Sequence, residues 1–306
     1  MKAKLKETQG EDYAHEEIRE REDKSKKVGS FIYIWKSISR NPGAMIGFCF
    51  LCFIIIMSFL SPYIMKHNYA AIDMMRRFGA PSWEHPFGCD HLGRDIMIRV
   101  FYGARYTLAI GFGATALATI SGILFGSLAG FFGGILDNIL MRILDVVQSF
   151  PFMVLAIALA AAFGQGLENC IYAIGISLMP VFARLIRANI LAIRSSEFIE
   201  AATSIRCSTI RIIFRHVIPN AISPIIVQFS MSVAAAGLSA AALSFLGLGV
   251  GEPNPEWGLM ISSARSFMRD YPHMVVVPGI FIMITVLSLN LIGDALRDAL
   301  DPKLKE

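Results

Sequence analysis

The chain has 306 residues, of which 55% are hydrophobic and 17% charged, against about 25% charged in soluble domains, so an ordinary cytosolic globule is excluded. A formal charge of +4 is too small for a nucleic-acid binder, whose affinity comes from neutralising many phosphates. The five cysteines show CxxC spacing at Cys49 and Cys52, inside an apolar run, which indicates neither a disulfide framework nor a zinc ribbon.

The first thirty residues mix acids and bases without an apolar run, a pattern that predicts a solvated, partly disordered tail. Phe31-Ile32-Tyr33-Ile34-Trp35, followed by Lys36 and Arg40, suits a short interfacial helix with Trp35 at headgroup level, closing an N-terminal tail over 1–44. A hydrocarbon core about 30 Å thick needs about 20 apolar residues, and six stretches qualify. They are Met45 to Ile64, Tyr106 to Gly134, Val146 to Leu167 (entered through Phe150-Pro151), a short one from Asn169 to Ala183, Ala221 to Leu248, and Met274 to Ile292. The first run is 20 residues long, which suits a retained anchor rather than a cleaved signal. An extracytoplasmic loop is expected over 65–105, a core over 106–292 with its long loop at 187–219, and a tail over 293–306. With this assignment 20 of the 28 Lys and Arg fall on one side and eight on the other, which predicts that both termini are cytoplasmic. The fold expected is all-α, a polytopic membrane protein with six transmembrane helices.

Spans two, three and five contain no Asp, Glu, Lys or Arg, although ionisable groups inside a bundle mark proton- or ion-coupled carriers. No GxxxxGK[ST] loop is present for binding a nucleotide, and no HExxH or comparable hydrolytic constellation. An enzyme is therefore not expected, and energy for any pumping must come from a partner. Phe150, Met153, Gln228 and Ser232 are candidates to line a solute path through spans three and five. Gly122, Gly126 and Gly130 recur every fourth residue, so one face of span two admits a close neighbour from the same chain or a partner.

The segment from Glu197 to Asn220 is amphipathic. Phe198, Ile199, Ala202 and Ile205 recur at helical spacing, as do Ile210, Ile213, Phe214 and Val217, while Arg211 and Arg215 lie one turn apart on the other face. Two short helices with a bend near Arg206 to Ser208 fit, with Ser208 as N-cap of the second. By pattern alone such a pair either lies on the membrane or docks a protein.

Glu200-Ala201-Ala202, with Pro219 nineteen positions after Glu200, resembles the EAA loop of ATP-binding-cassette importer permeases: EAA, three residues, Gly, nine residues, Ile, any residue, Leu, Pro. Here Arg206 stands at the Gly position, His216 at the Ile and Ile218 at the Leu. Glycine there serves a left-handed turn, so the bend is built differently, or Arg206 is strained or touches the ATPase. The segment His85-Pro-Phe-Gly-Cys-Asp90-His91-Leu-Gly93-Arg94-Asp95 and the run Tyr102-Gly103-Ala104-Arg105 are similar to the C-type permeases of dipeptide and oligopeptide importers. So are Leu243 to Gly251 with Pro253, Pro255, Trp257 and Gly258, and the closing stretch Asn290 to Pro302. His85, Cys89, Asp90 and His91 also suit a metal, but the HxxGxDH frame is a loop motif of that family. Asp90, Arg94, Asp95 and Arg99 are expected to form exposed ion pairs that hold the loop over the pore mouth.

The resemblance implies the type I ABC importer transmembrane fold at the prokaryotic plasma membrane. It further implies a second permease subunit, two ATPase subunits that bind the ATP and Mg, and an extracytoplasmic binding protein. No cofactor is expected in this chain. Glu200, Ala201, Ala202, Arg206, Ser208, Arg211 and Pro219 would meet the ATPase. Dipeptides, oligopeptides and nickel chelates all fit as cargo, and a non-transporting scaffold or receptor that recruits a cytosolic partner is the reading from another class.

Overall fold

The computed structural model describes Trp35, residues 38–64 and residues 68–300. The expected N-terminal tail, most of its interfacial helix and residues 301–306 lie outside the described residues. The regular elements described are helical: α1 (Pro42–Ile64), α2 (Ile96–Phe132), α3 (Gly134–Gln148), α4 (Phe152–Phe163), α5 (Leu167–Arg194), α6 (Glu197–Ser204), α7 (Thr209–Ile212), α8 (Ile222–Phe245), α9 (Trp257–Ala264) and α10 (His273–Leu300). A π-helical turn at Ile213–Val217 and a short turn at Ile218–Asn220 continue α7 toward α8. Among the described residues five helices are long and apolar enough to cross a membrane, and α3 with α4 makes a sixth candidate, bent by 87°.

That bend corrects the third expected span. Val146 to Leu167 is not one straight helix, because α3 ends at Ser149, whose amide bonds the Asp145 carbonyl at 2.9 Å, and Pro151 disfavours a helical Phe150 before it. Alone, α4 has 12 residues and a length of about 18 Å, short of the apolar core.

Three other boundaries move outward, and for α2 and α5 the reason is the same. α2 begins at Ile96 rather than near Tyr106, so the last ten residues of the expected loop are helical. Asp95 caps it, accepting from Met97 N and Ile98 N at 2.7 and 3.2 Å. Arg99 and Arg105 end an apolar window read from sequence, yet both are satisfied inside the fold. Arg105 donates to the Ser58 and Phe59 carbonyls of α1, and Arg99 to the Tyr69 carbonyl. α5 likewise runs past Ala183 to Arg194 because Arg184 bonds Asp145, and Arg187 forks onto both oxygens of Asp137 at 2.6 Å. α10 runs past Ile292 to Leu300.

The 37-residue α2 spans about 55 Å and touches most of the molecule. Its glycine stripe faces α5 of the same chain. A Cβ at Gly122 would lie 2.5 Å from Phe182 Cβ, one at Gly126 2.5 Å from the Ala183 carbonyl oxygen, and one at Gly130 3.0 Å from Ile190 Cβ. The two helices therefore approach backbone to side chain, as small-residue stripes permit in a membrane. One buried cluster joins α2, α4, α5 and α8 around Ile110, Ile174 and Leu243. Another joins α1, α2, α9 and α10 around Ile54, Val100, Trp257 and Met274.

Candidate functional site

At the end of α2 that carries its C-terminus, the 197–220 segment docks on α5 through an apolar underside. Ile199, Ile212 and Val217 are buried with Phe182, Ile186 and Ile190 of α5 and Ala118 of α2. Ser196 starts α6, its carbonyl accepting from Ile199 N and Glu200 N. The Ser208 carbonyl accepts from Ile212 N at 3.0 Å, so Ser208 occupies the N-cap position expected of it. Between them Arg206 has φ +53°: the left-handed turn is kept, and an arginine makes it. That conformation costs a residue with a Cβ about 1–2 kcal/mol.

Two apolar positions do not point inward as the periodicity predicts. Ile205 is 80% exposed because α6 ends at Ser204. Phe214 is 65% exposed because the π turn adds a residue and rotates the following face. Pro219, which lacks an amide hydrogen, follows that turn, and Asn220 Nδ2 donates to the His216 carbonyl at 2.6 Å. Glu200, Arg206, Ser208, Arg211, Arg215 and Pro219 are exposed, and the three arginines and Glu200 form no ion pair with a described residue. Ala201 and Ala202 lie within α6.

At the opposite end, Asp90, Arg94, Asp95 and Arg99 of the loop before α2 and the start of α2 are buried in their ion pairs, not exposed as expected, and reach the exposed Glu252 between α8 and α9. Asp90 and Arg94 are 7% and 3% exposed. Arg94 Nε bonds Asp90 Oδ2 at 2.6 Å, and its Nη1 reaches Glu252 Oε2 at 2.7 Å. Arg99 Nε approaches Asp90 Oδ2 at 3.7 Å, and Asp95 Oδ2 meets His85 Nδ1 at 2.6 Å. Burial pulls the Arg94 guanidinium down, but its bonds to Glu252 and Asp90 outweigh this and hold it above its ordinary range. Burial pushes the Cys89 thiol up to about 11. Of the four residues considered for a metal, His85 bonds Asp95 and Asp90 bonds Arg94, His91 Nδ1 is buried without a hydrogen-bond partner, and among the described residues no group of three or more His, Cys, Asp or Glu is placed to hold an ion.

Glu256 is fully buried at the N-cap of α9. It accepts from Leu259 N at 2.9 Å and from Thr107 Oγ1 of α2 at 3.2 Å. Burial pushes its carboxyl up, against the pull of those bonds. Trp257, buried beside it, donates Nε1–H to the Val100 carbonyl at 2.8 Å, and a Cβ on Gly258 would lie 2.2 Å from the Ala241 carbonyl oxygen. α9 is thereby clamped to both α2 and α8.

Residues 122–306, from the glycine stripe of α2 through the 197–220 segment to the C-terminus, match the family described as binding-protein-dependent transport system inner membrane component. The chain belongs to that family. Residues 30–81 match the N-terminal transmembrane domain of oligopeptide transport permease C. The chain is 42% identical over 284 residues to the dipeptide transport system permease protein DppC of Alkalihalophilus pseudofirmus, covering 93% of each. It is 43% identical over 274 residues to the glutathione transport system permease protein GsiD of Escherichia coli O157:H7, covering 89% of this chain and 90% of that one. Among solved structures, an inward-facing form of the MetNI methionine ABC transporter aligns with TM-score 0.55 at 18% identity, covering 67% of this chain and 98% of that one. The fold is that of type I ABC importer permeases, and the chain is a multi-pass transport permease subunit rather than an enzyme.

The path candidates of this permease are divided between two elements. Phe150 is exposed at the α3–α4 break, with Met153 half-buried one turn on, while Gln228 Nε2 donates to Ser232 Oγ at 3.1 Å within α8. Sequence reasoning did not single out Glu252, Glu256, Asp137 or Asp145. A signal for one of them was available: Glu256 stands directly before Trp257-Gly258, and a carboxylate one residue before an apolar helix start is an N-cap pattern. Asp137 and Asp145 lie eight residues apart, on one face of α3.

Proposed function

We propose that this chain is one of two non-identical membrane subunits of an ATP-driven importer of dipeptides or oligopeptides, fed by an extracytoplasmic binding protein. It sits in the prokaryotic plasma membrane with both termini cytoplasmic and forms half of the translocation path. Two separate ATPase subunits bind the ATP and Mg, and residues 197–219 receive their motion. Short peptides as cargo follow from the dipeptide and glutathione permeases that the chain resembles over about nine-tenths of its length.

The observation that carries the coupling role is the segment's two-sided build. Its apolar underside is sunk into α5, while its outer face presents Glu200, Arg206 and Arg211 without an ion-pair partner among the described residues. A push on that face moves α5, and α2 must follow because Gly122, Gly126 and Gly130 leave no gap between the two helices. The far end of α2 carries the motion to α9 through Val100–Trp257 and Thr107–Glu256. The element is thus a lever about 55 Å long, biased by nucleotide at one end and opening the path at the other. Reconstitution of the chain with its partner permease, ATPases and binding protein in liposomes tests this. ATP-dependent uptake of a labelled dipeptide or oligopeptide is expected; intact ATPase binding without uptake of any peptide would favour a scaffold and overturn the importer reading.

A further inference from the structure

The left-handed residue between α6 and α7 is an arginine, although glycine adopts that conformation freely. Strain of this kind persists where the surroundings impose it and the side chain contributes something in return. Within the chain Arg206 contributes nothing visible: it is exposed and forms no ion pair with a described residue. Other arginines of the adjoining helix behave differently, since Arg184 and Arg187 are closed by Asp145 and Asp137 of α3 at 2.6 Å. Arg211 and Arg215 are also exposed and form no ion pair with a described residue, so the turn begins a basic edge that the described residues leave unneutralised.

We propose that Arg206 is a partner-selecting contact, whose guanidinium, aimed by the fixed left-handed turn, pairs with a carboxylate on the docked ATPase subunit. The inference rests on the coupling role proposed above. A planar guanidinium gains most when its direction is set in advance, because less freedom is lost for each bond made. Anionic lipid headgroups are a weaker match: a flexible arginine reaches them by snorkelling and needs no strained backbone to do so.

The test uses the intact complex in nanodiscs of zwitterionic lipid, with ATPase dissociation followed across a salt series. R206G, which leaves the turn its preferred residue, is expected to weaken ATPase binding roughly tenfold and to flatten the salt dependence, as loss of a charge-assisted bond should. R206K, which keeps the charge but not the planar fork, is expected to fall between the wild type and R206G, and R206E below R206G. Thermal stability of the permease should be unchanged or higher in R206G. Wild-type affinity in R206G overturns the proposal, as does an R206E no weaker than R206G, because the arginine then faces no carboxylate. A loss confined to nanodiscs containing anionic lipid assigns the arginine to headgroups and overturns it too. E200K separates the two levels of the account: if E200K abolishes coupling while R206G is silent, the coupling site stands and the arginine contact falls. If both are silent, the coupling reading itself falls.

Discussion

The two ends of α2 treat charge in opposite ways. At its N-terminal end Asp90, Arg94, Asp95, Arg99 and Glu256 are buried and bonded to one another, to His85 and Glu252, or to Thr107 and backbone amides. At its C-terminal end Glu200, Arg206, Arg211 and Arg215 are exposed and form no ion pair with a described residue, on a segment whose buried side chains are apolar. The first arrangement is closed: its charged groups find their partners within the chain, and it fixes loop, α2 and α9 as one body. The second is open, and under the proposed function it is the surface on which the ATPase docks. A transport lever needs both, a stiff far end and a near end that something else can grip.

Substitutions that break the closed end should cost the most stability. Arg94→Ala leaves Asp90 buried without its closest cation, and a loss of about 3–5 kcal/mol is expected, read as a large drop in the melting midpoint of the solubilised complex. An unchanged midpoint would mean that the ion pairs do not hold this end. Gly126→Leu attacks the lever itself, placing a side chain against the Ala183 carbonyl, and should cost about 1–3 kcal/mol and impair transport with ATPase binding retained. Normal transport in that variant would separate α2 from α5 as a unit. Glu256→Gln is expected to have the smallest effect, under about 1 kcal/mol at neutral pH, with a pH signature. Because burial raises this carboxyl, the folded chain keeps a proton that the unfolded chain has already released, so stability falls as pH rises through that window. The amide removes this term, and the midpoint difference between about pH 5 and about pH 8 should shrink in the variant. An unaltered difference would place the titration elsewhere.

Much of this organisation is legible in the residues. Charge-free runs gave the apolar elements, the four-residue glycine spacing gave a packing face, and the EAA pattern located the open end. What stayed hidden depends on pairing across the fold. Arg99, Arg105, Arg184 and Arg187 look like ends of apolar windows until their partners are known, and each continues a helix. The 87° turn at Ser149–Pro151 was signalled by the proline, but not its size. Phe214 turns outward through one extra residue in a π turn, which no hydrophobic period encodes. Arg206 is the instructive case: the pattern asked for glycine, the sequence supplied arginine, and the backbone kept the glycine conformation.

The central claim is that the open end is where ATPase motion enters the permease, and Glu200→Lys in the reconstituted complex tests it most directly. The account expects ATP-dependent peptide uptake to be lost while the melting midpoint stays at the wild-type value, because Glu200 is exposed and forms no ion pair with a described residue. Wild-type uptake by that variant would contradict it.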